Sequence, residues 1–396
     1  MALPLEGIRI LELGQIIAGC FATIPLGDLG AEVIKVEPFK GEAGRMPSVG
    51  NLRGASALFL TFNRNKQSIV LDLKRPEGLE VFYDLVRRSD VVIDNFRPGV
   101  LKRLRVDYES LKTVNPRIIS CSVTGFGEES PYRDRPSYDL VHQAMTGLMS
   151  ITGEPGRPPV RAGIPLADLA GPIFACKGIL IALLERERTG EGQRVDVAMF
   201  DGLSALLTYT ATLYLSQGEV PPPPGSAHEY MVPYQAFQTS DGHMVVVTRE
   251  ESFWRKLCQA LGQPELAEDP RFASNAARVR HREVLIPLLE DVFRRKRTDE
   301  WVALLDEAGV PAAPVNTLDK ALDDPHHELR DMVVRFDYPG VGPVRAMGNP
   351  IKLSRHPRAR CAPPPTLGQQ TDEILSRVLG YPPERIEALR RQGIAG

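Results

Sequence analysis

Short apolar runs alternate with longer helical patterns along the first half of the chain. This alternation is typical of parallel βαβ units, in which a crossover helix follows each strand. Helices are predicted to begin at Ala18, Pro76, Tyr108 and Leu166. Strands are predicted at 8–13, 32–37, 68–73, 90–95, 117–123 and 193–199. The pattern predicts an α/β fold with a doubly wound, Rossmann-like large domain.

A run of consecutive prolines, Pro221 to Pro224, interrupts the alternation and predicts a stiff, extended linker. Beyond it the pattern predicts a hairpin of strands 234–238 and 243–247, then helices 250–261, 277–295 and 298–308, strands 332–336 and 342–346, and helices 371–379 and 383–391. The predicted domains are residues 1–220 as the first part of the large domain, 225–330 as a smaller α+β domain, and 331–396 as a return segment completing the large domain.

The charge balance is nearly even, with 48 Lys and Arg residues against 50 Asp and Glu residues and a net charge of −2. Proteins held on nucleic-acid phosphates usually carry excess positive charge, so no nucleic-acid partner is expected. The longest uncharged, apolar-leaning run, 202–218, is shorter than the roughly 20 apolar residues of a membrane span. We predict a buried helix there and no membrane partner.

The cysteines and histidines indicate neither a disulfide framework nor a metal site. The 5 cysteines lie far apart without a CxxC pair, which favours a reducing compartment. The first residues lack the basic and apolar stretches of a secretory signal, so a cytoplasmic location is predicted. The 7 histidines form neither an HExxH motif nor a Cys/His cluster, so no metal is expected.

Neither GxGxxG nor GxxxxGK[ST] occurs in the sequence, so dehydrogenase and kinase functions lose their main support. The GxSxG motif of α/β-hydrolases does not occur either. The remaining candidate is Asp168, an acid in the first turn of the helix that begins at Leu166. An aspartate at this position commonly only caps the helix, and the residues alone leave that alternative open.

A series of segments in order along nearly the whole chain resembles the class III CoA-transferases, the family of formyl-CoA transferase and carnitine CoA-transferase. Each segment is weak evidence alone, and their common order and spacing carry the resemblance. The segments are 18–19, 26–37, 63–66, 71–74, 94–99, 163–171, 189–202, 233–234, 308–314 and 367–375.

The resemblance implies that Asp168 is the catalytic nucleophile. Its carboxylate would attack an acyl-CoA thioester to give a mixed anhydride and then an aspartyl-CoA thioester, before CoA passes to an acceptor acid. We expect the helix N-terminus to keep this carboxylate ionised. Coenzyme A, acyl-CoA and small carboxylic acids would be substrates, with no permanently bound cofactor. The family also implies an interlocked homodimer.

The resemblance implies CoA-binding residues in several loops. Lys74 and Arg103 offer charge to phosphates, whereas Ile16 and Phe96 can contact adenine or the pantetheine arm; without the resemblance, both cations would be read as solvated surface charges. The implied CoA-binding residues are Gln15, Ile16, Ala18, Leu71, Lys74, Asn95, Phe96, Arg103 and Tyr138.

Several positions depart from formyl-CoA transferase. Gln15 replaces a histidine, Pro38 an arginine near the nucleotide, and Pro136 a lysine. We therefore expect rearranged nucleotide contacts, with Lys40, Arg45 or Arg135 as substitutes. The glycine-rich lid is replaced by residues 225–229, so acceptor specificity should differ, and Arg45 and Arg161 are candidates for holding a second substrate carboxylate.

Two alternatives remain open. The α-methylacyl-CoA racemases share the fold and use a histidine and an aspartate as a proton-transfer pair. Tyr138 stands where that histidine belongs, although His142 lies one helical turn away. The second alternative is a non-catalytic CoA-binding protein in which Asp168 is only a cap.

Overall fold

The computed structural model describes residues 2–47, 50–356 and 358–396. The chain forms two compact units, a large unit of Met1–Thr146, Ala162–Gln217 and Pro325–Gly396 and a small unit of Gly147–Arg161 and Gly218–Asp324. The predicted boundaries had left 147–161 in the large domain.

The helices and strands of the first part of the large unit are β1 Arg9–Glu12, α1 Ala18–Asp28, β2 Glu32–Glu37, β3 Asn51–Leu52, β4 Ala55–Ser56, α2 Ala57–Phe62, β5 Lys66–Val70, α3 Pro76–Arg87, β6 Val91–Asp94, α4 Val100–Leu104, α5 Tyr108–Val114, β7 Ile119–Thr124, α6 Asp139–Met145, α7 Leu166–Thr189, β8 Arg194–Ala198, α8 Met199–Ala205 and α9 Thr208–Gln217.

The small unit contains β9 Tyr234–Gln238, β10 His243–Val247, α10 Glu251–Ala260, α11 Glu265–Glu268, α12 Asn275–Arg280, α13 Arg282–Phe293, α14 Thr298–Glu307, β11 Ala312–Pro314 and α15 Leu318–Leu322. The large unit is completed by α16 Pro325–Leu329, β12 Val333–Tyr338, β13 Gly342–Met347, α17 Thr371–Glu373, a π-helical turn Ile374–Val378 and α18 Pro383–Arg391. Short 3₁₀ turns lie at Ala43–Arg45 and Leu148–Ile151.

The central sheet of the large unit has the strand order β5-β2-β1-β6-β7-β8. All of its strand pairs are parallel. The order reverses between β1 and β6, and ligands of doubly wound sheets bind outside the carboxyl ends of the strands at such a point. The predicted α/β class is confirmed, and this topology places the candidate site.

The small unit is built on an antiparallel sheet with the order β11-β10-β9. The predicted hairpin is present, because β9 pairs antiparallel with β10 from Tyr234 to Gln238. Its core is aromatic, with Phe293 between Phe237 and Trp301 at ring-centroid distances of 4.8 and 5.3 Å. Aromatic pairs at such distances contribute beyond the area they bury.

Helix α7 packs on the sheet through its small residues. A Cβ added at Gly171 would lie 3.2 Å from the Val123 side chain on β7, and one at Gly178 would lie 2.7 Å from the Val195 side chain on β8. By length and composition alone α7 could cross a membrane, yet 44% of its most apolar window is buried inside the protein. The close approach of this helix to the sheet therefore depends on glycine at both positions.

Some large apolar side chains of α7 face away from the sheet: Ile181 and Leu184 are 65% and 69% exposed, whereas Ile179 and Leu183 are buried. The prediction of a buried helix at 202–218 is wrong. That segment forms α8 and α9, and none of the described residues of α9 is buried. Periodicity identified the helices but not which face meets the core.

A buried ionic network joins β1, β2 and β5 beneath the carboxyl end of the sheet. The Glu12 carboxylate lies 2.9 Å from the Lys35 ammonium and 2.7 Å from the Lys66 ammonium, and all three side chains are at most 1% exposed. Burial alone would raise the pKa of Glu12, but the two lysines hold it below its usual range. Lys35 also donates to Gly14 O at 2.7 Å, which fixes the start of the turn after β1.

Replacing Glu12 should leave two buried ammonium groups without their carboxylate. We expect Glu12→Gln to lower the free energy of unfolding by about 3–5 kcal/mol, as for other broken buried ion pairs. Glu109→Gln is a matched control, because Glu109 pairs with Lys112 on the surface, and it should have little effect. Denaturant unfolding of both variants measures the difference, and equal, small losses would contradict the role assigned to the network.

Candidate functional site

A cavity of about 440 Å³ opens at the carboxyl ends of β1, β6 and β7 in the large unit. It therefore lies at the reversal point of the strand order, where the fold is expected to bind its ligand. The predicted site residues that line it are Gln15, Ile16, Ala18, Asn95, Phe96, Tyr138 and Asp168.

Asn95 ties the two loops at the reversal point together. Its Oδ1 accepts the Gln15 N–H at 2.8 Å, and its Nδ2 donates to Gln15 O at 3.0 Å. A Cβ at Gly19 would lie 2.6 Å from Gly14 Cα and 3.1 Å from Asn95 Oδ1, so only glycine fits there. Asn95 thus fixes the backbone of the loop that carries Gln15 and Ile16.

Asp168 lies in the first turn of α7 and faces the cavity. The helix start is capped from α6, because Asp139 Oδ1 accepts the Ala167 N–H at 2.8 Å and Asp139 Oδ2 accepts from Gln143 Nε2 at 2.6 Å. Burial, and then the neighbouring Asp139 carboxylate, raise the pKa of Asp168 to about 6. The direction opposes the expected effect of the helix N-terminus, because the desolvation of a carboxylate outweighs it.

Three predicted CoA-binding residues do not line this cavity. Leu71 is 1% exposed, donates its N–H to Glu37 O at 2.9 Å and bridges to Ala395 near the C-terminus. Lys74 and Arg103 are exposed side chains outside the lining. The structure therefore brings together the predicted residues of the loops directly after β1 and β6, but not Leu71 and Lys74 after β5 or Arg103 on α4.

Arginines supply the positive charge of the cavity. Arg97 and Arg133 line it together with Arg135, one of the proposed substitutes for the lost lysine. Arg97 is not among the site residues predicted from the sequence. It directly follows the predicted Asn95 and Phe96 in the same loop, and this position was the signal that could have identified it. Guanidinium groups suit phosphate and carboxylate ligands because they can donate two parallel hydrogen bonds.

Arg45, another proposed substitute, is already engaged. Its guanidinium lies 2.6 Å from the Glu37 carboxylate, donates to Pro365 O at 3.1 Å and stacks 4.0 Å from the Phe59 ring centroid. It lines a separate cavity, of about 380 Å³, that Phe59 and Tyr338 also line. Arg45 therefore stabilises the loop after β2.

The racemase-like arrangement of His142 is not formed. His142 is fully buried and packs edge to face against Phe126, with 4.9 Å between the ring centroids. Neither of its ring nitrogens has a hydrogen-bond partner among the described residues. Burial lowers its pKa. Tyr138 instead lines the cavity and is 74% exposed. Within the described parts of the chain, no group of three or more His, Cys, Asp or Glu residues could hold a metal ion.

Known proteins similar to this chain include named CoA-transferases. A sequence profile described as CoA-transferase family III matches residues 5–371. The chain is 38% identical to the Mus musculus protein named succinyl-CoA:glutarate CoA-transferase, over 99% of this chain and 90% of that protein. It is 38% identical to the acetyl-CoA:oxalate CoA-transferase of Acetobacter aceti, over 89% of each.

Among solved structures, a CAIB/BAIF family protein from Brucella suis superimposes with a TM-score of 0.85 at 39% identity, covering 96% of this chain and 100% of that chain. The similarity therefore extends over nearly the whole chain. This chain belongs to CoA-transferase family III.

Proposed function

We propose that this protein moves CoA from an acyl-CoA to a free carboxylic acid, with Asp168 as the nucleophile. The observation that carries the proposal is the position of the Asp168 carboxylate, in a cavity at the reversal point of a doubly wound sheet. Related proteins named as CoA-transferases of glutarate and of oxalate support the reaction class.

The proposed reaction begins when an Asp168 carboxylate oxygen attacks the thioester carbonyl carbon. The C–S bond breaks, so that CoA leaves as a thiolate and an acyl-aspartyl anhydride remains. The thiolate then attacks the aspartyl carbonyl, which releases the donor acid and forms an aspartyl-CoA thioester. The same two steps in reverse, with the acceptor carboxylate, give the new acyl-CoA and regenerate Asp168. Covalent catalysis of this kind divides one difficult exchange into easier steps.

We propose that the guanidinium groups of Arg97, Arg133 and Arg135 hold the phosphates of CoA. All three line the same cavity as Asp168, and their fork geometry suits phosphate oxygens. They would replace the lysine and arginine of formyl-CoA transferase at the positions of Pro136 and Pro38. Phe96 offers an apolar surface to the pantetheine arm in the same cavity.

We propose dicarboxylic acids as the substrate class, because the relatives described above are named for glutarate and oxalate. Arg45 is not the group for the second carboxylate, since Glu37 already neutralises it. A screen of succinyl-CoA with glutarate, oxalate and monocarboxylic controls would identify the acid pair. A cytoplasmic location is also proposed, in keeping with five cysteines that are all free.

We propose a homodimer in which a second copy of this chain covers the outer face of α7 and α9. Leu184, Tyr209 and Leu215 are 69%, 58% and 80% exposed on these helices of the single chain. Exposed apolar patches commonly mark an interface between proteins. The interlocked form implied by the family would bury them against a second copy.

The assignment of Asp168 predicts that Asp168→Ala binds CoA but loses essentially all exchange. Transfer is measured as the appearance of an isotope-labelled free acid in the acyl-CoA pool. Asp134→Ala is a matched control, since Asp134 lines the same cavity without a proposed covalent role, and it should retain exchange. Substantial exchange by Asp168→Ala would refute the assignment.

The racemase alternative is tested in the same preparation. Incubation of an acyl-CoA in deuterated water without an acceptor acid should leave the α-carbon free of deuterium. Incorporation of solvent deuterium there would contradict the transferase proposal.

The raised pKa of Asp168, about 6, predicts how activity and stability depend on pH. Exchange should rise as pH increases through about 6, because only the carboxylate attacks. A carboxyl whose folded pKa exceeds its unfolded value favours the folded state when protonated, and this contribution is lost as pH rises towards and through about 6. Asp168→Asn should therefore have a higher Tm than the wild type at pH 8, with the difference shrinking towards pH 4.

Asp134→Asn is the control for this pH series and should keep the activity midpoint near pH 6. An exchange rate that is constant between pH 5 and pH 8 would contradict the burial of an essential Asp168 carboxylate.

The dimer proposal predicts a sedimenting species of twice the 43.7 kDa chain mass. Leu184→Glu should weaken this species, because it places a charge in the proposed interface, whereas Leu329→Glu on α16 should not. Analytical ultracentrifugation at micromolar concentration measures both effects. A wild-type monomer under these conditions would overturn the proposal.

A further inference from the structure

The turn after β1 contains an unusual backbone conformation. Ile16 has a φ of 62°, in the left-handed region that β-branched residues rarely occupy. Its side chain is 41% exposed and lines the cavity that contains Asp168. A strained residue of this kind persists only where its surroundings hold it, and such residues cluster at functional sites.

The group that holds Ile16 is the buried carboxylate of Glu42. Glu42 Oε2 accepts the Ile16 N–H at 3.0 Å, although the two residues are 26 positions apart in the sequence. The Glu42 side chain is only 2% exposed. A hydrogen bond from a backbone N–H to a buried carboxylate is stronger than one between neutral groups.

Glu42 is itself held from several sides. Its backbone N–H donates to Glu37 Oε1 at 3.1 Å, and its Oε2 also accepts the Gly44 N–H at 2.6 Å. Its Oε1 lies 3.7 Å from Lys35 Nζ and has no hydrogen-bond partner among the described residues. Lys35 in turn donates to Gly14 O. Glu42 and Lys35 therefore both hydrogen-bond to the backbone of the turn after β1.

We propose that Glu42 is a positioning residue for the transfer reaction: by holding Ile16 in its left-handed conformation it fixes the turn of residues 14–17 against the CoA thioester. The inference rests on the proposed function. Glu42 does not line the cavity, so it acts through Ile16 and Gln15, which do. Without its carboxylate, Ile16 should relax to an ordinary backbone conformation and move both side chains out of place.

Glu42→Gln tests this role with little change in volume. The glutamine must place its amide N–H₂ either against the Ile16 and Gly44 N–H groups or against the Lys35 ammonium, so that donors face donors in both orientations. We expect the KM for acyl-CoA to rise about tenfold with a much smaller change in kcat. Hydrogen–deuterium exchange should accelerate in the peptide covering residues 13–19.

Glu32→Gln is the matched control. Glu32 stands at the opposite end of β2 and pairs with Arg9 and Arg377, away from the cavity. It should change neither the KM nor the exchange of the peptide 13–19. If a variant lost activity only because it folds less well, the amount of active enzyme would fall but the KM of the folded enzyme would not change.

Ile16→Gly provides the second test, because glycine adopts a positive φ without a Cβ penalty. In the Ile16→Gly background the left-handed conformation is no longer strained, so its stability depends less on the Glu42 hydrogen bond. Glu42→Gln should therefore raise KM by a smaller factor in this background than it does in the wild type. Ile16→Gly should also have a higher Tm than Ile16→Ala, the reverse of the usual order of these residues. This comparison of stability holds even if Glu42→Gln fails to fold.

A folded Glu42→Gln variant with unchanged KM and unchanged exchange of the peptide 13–19 would overturn the proposal. An equal rise in KM in both backgrounds, or a lower Tm for Ile16→Gly than for Ile16→Ala, would also overturn it. If the wild type transfers no CoA with any acid pair, the proposed function fails. The hydrogen–deuterium exchange of the peptide 13–19 in Glu42→Gln still decides whether Glu42 holds the turn, and the Tm comparison still tests the strain at Ile16.

Discussion

The placement of the candidate site depends on the charge balance beneath the sheet. Glu12 lies between Lys35 and Lys66, and all three are buried where β1, β2 and β5 meet. Unpaired, any one of these charges would be costly to bury, so the three strands are held in one arrangement. Lys35 extends this constraint to Gly14 and Glu42, and through them to the turn that lines the cavity.

The packing of α7 brings its Asp168 to the same place. Small residues let the helix lie close to the sheet, and its first turn then reaches the cavity where the strand order reverses. The same close packing removes water from the carboxyl and raises its pKa to about 6. A carboxylate with this pKa is largely ionised near neutral pH while remaining partly desolvated, which suits a nucleophile.

Local pattern predicted the strands well, because each apolar run between turns is a local signal. Pairings distant in sequence could not be predicted in this way. Lys35, Lys66 and Arg64 contributed to the family resemblance, but only the structure shows them bound to Glu12 and Asp28. Similarly, Leu71 forms an antiparallel β-bridge with Ala395, which is distant from it in the sequence. The exposed residues of α9 were wrongly predicted as buried, because an apolar run does not show whether its side chains pack against the rest of the same chain.

Covalent trapping is the most direct test of the proposed role of Asp168. The protein is incubated with an acyl-CoA, quenched with hydroxylamine or borohydride, digested, and the peptide containing Asp168 is analysed by mass spectrometry. We expect a modified Asp168 that forms only when acyl-CoA is present and decreases when an excess of a competent acceptor acid is added. Rapid CoA transfer without modification of Asp168, or with modification only at another residue, would contradict it.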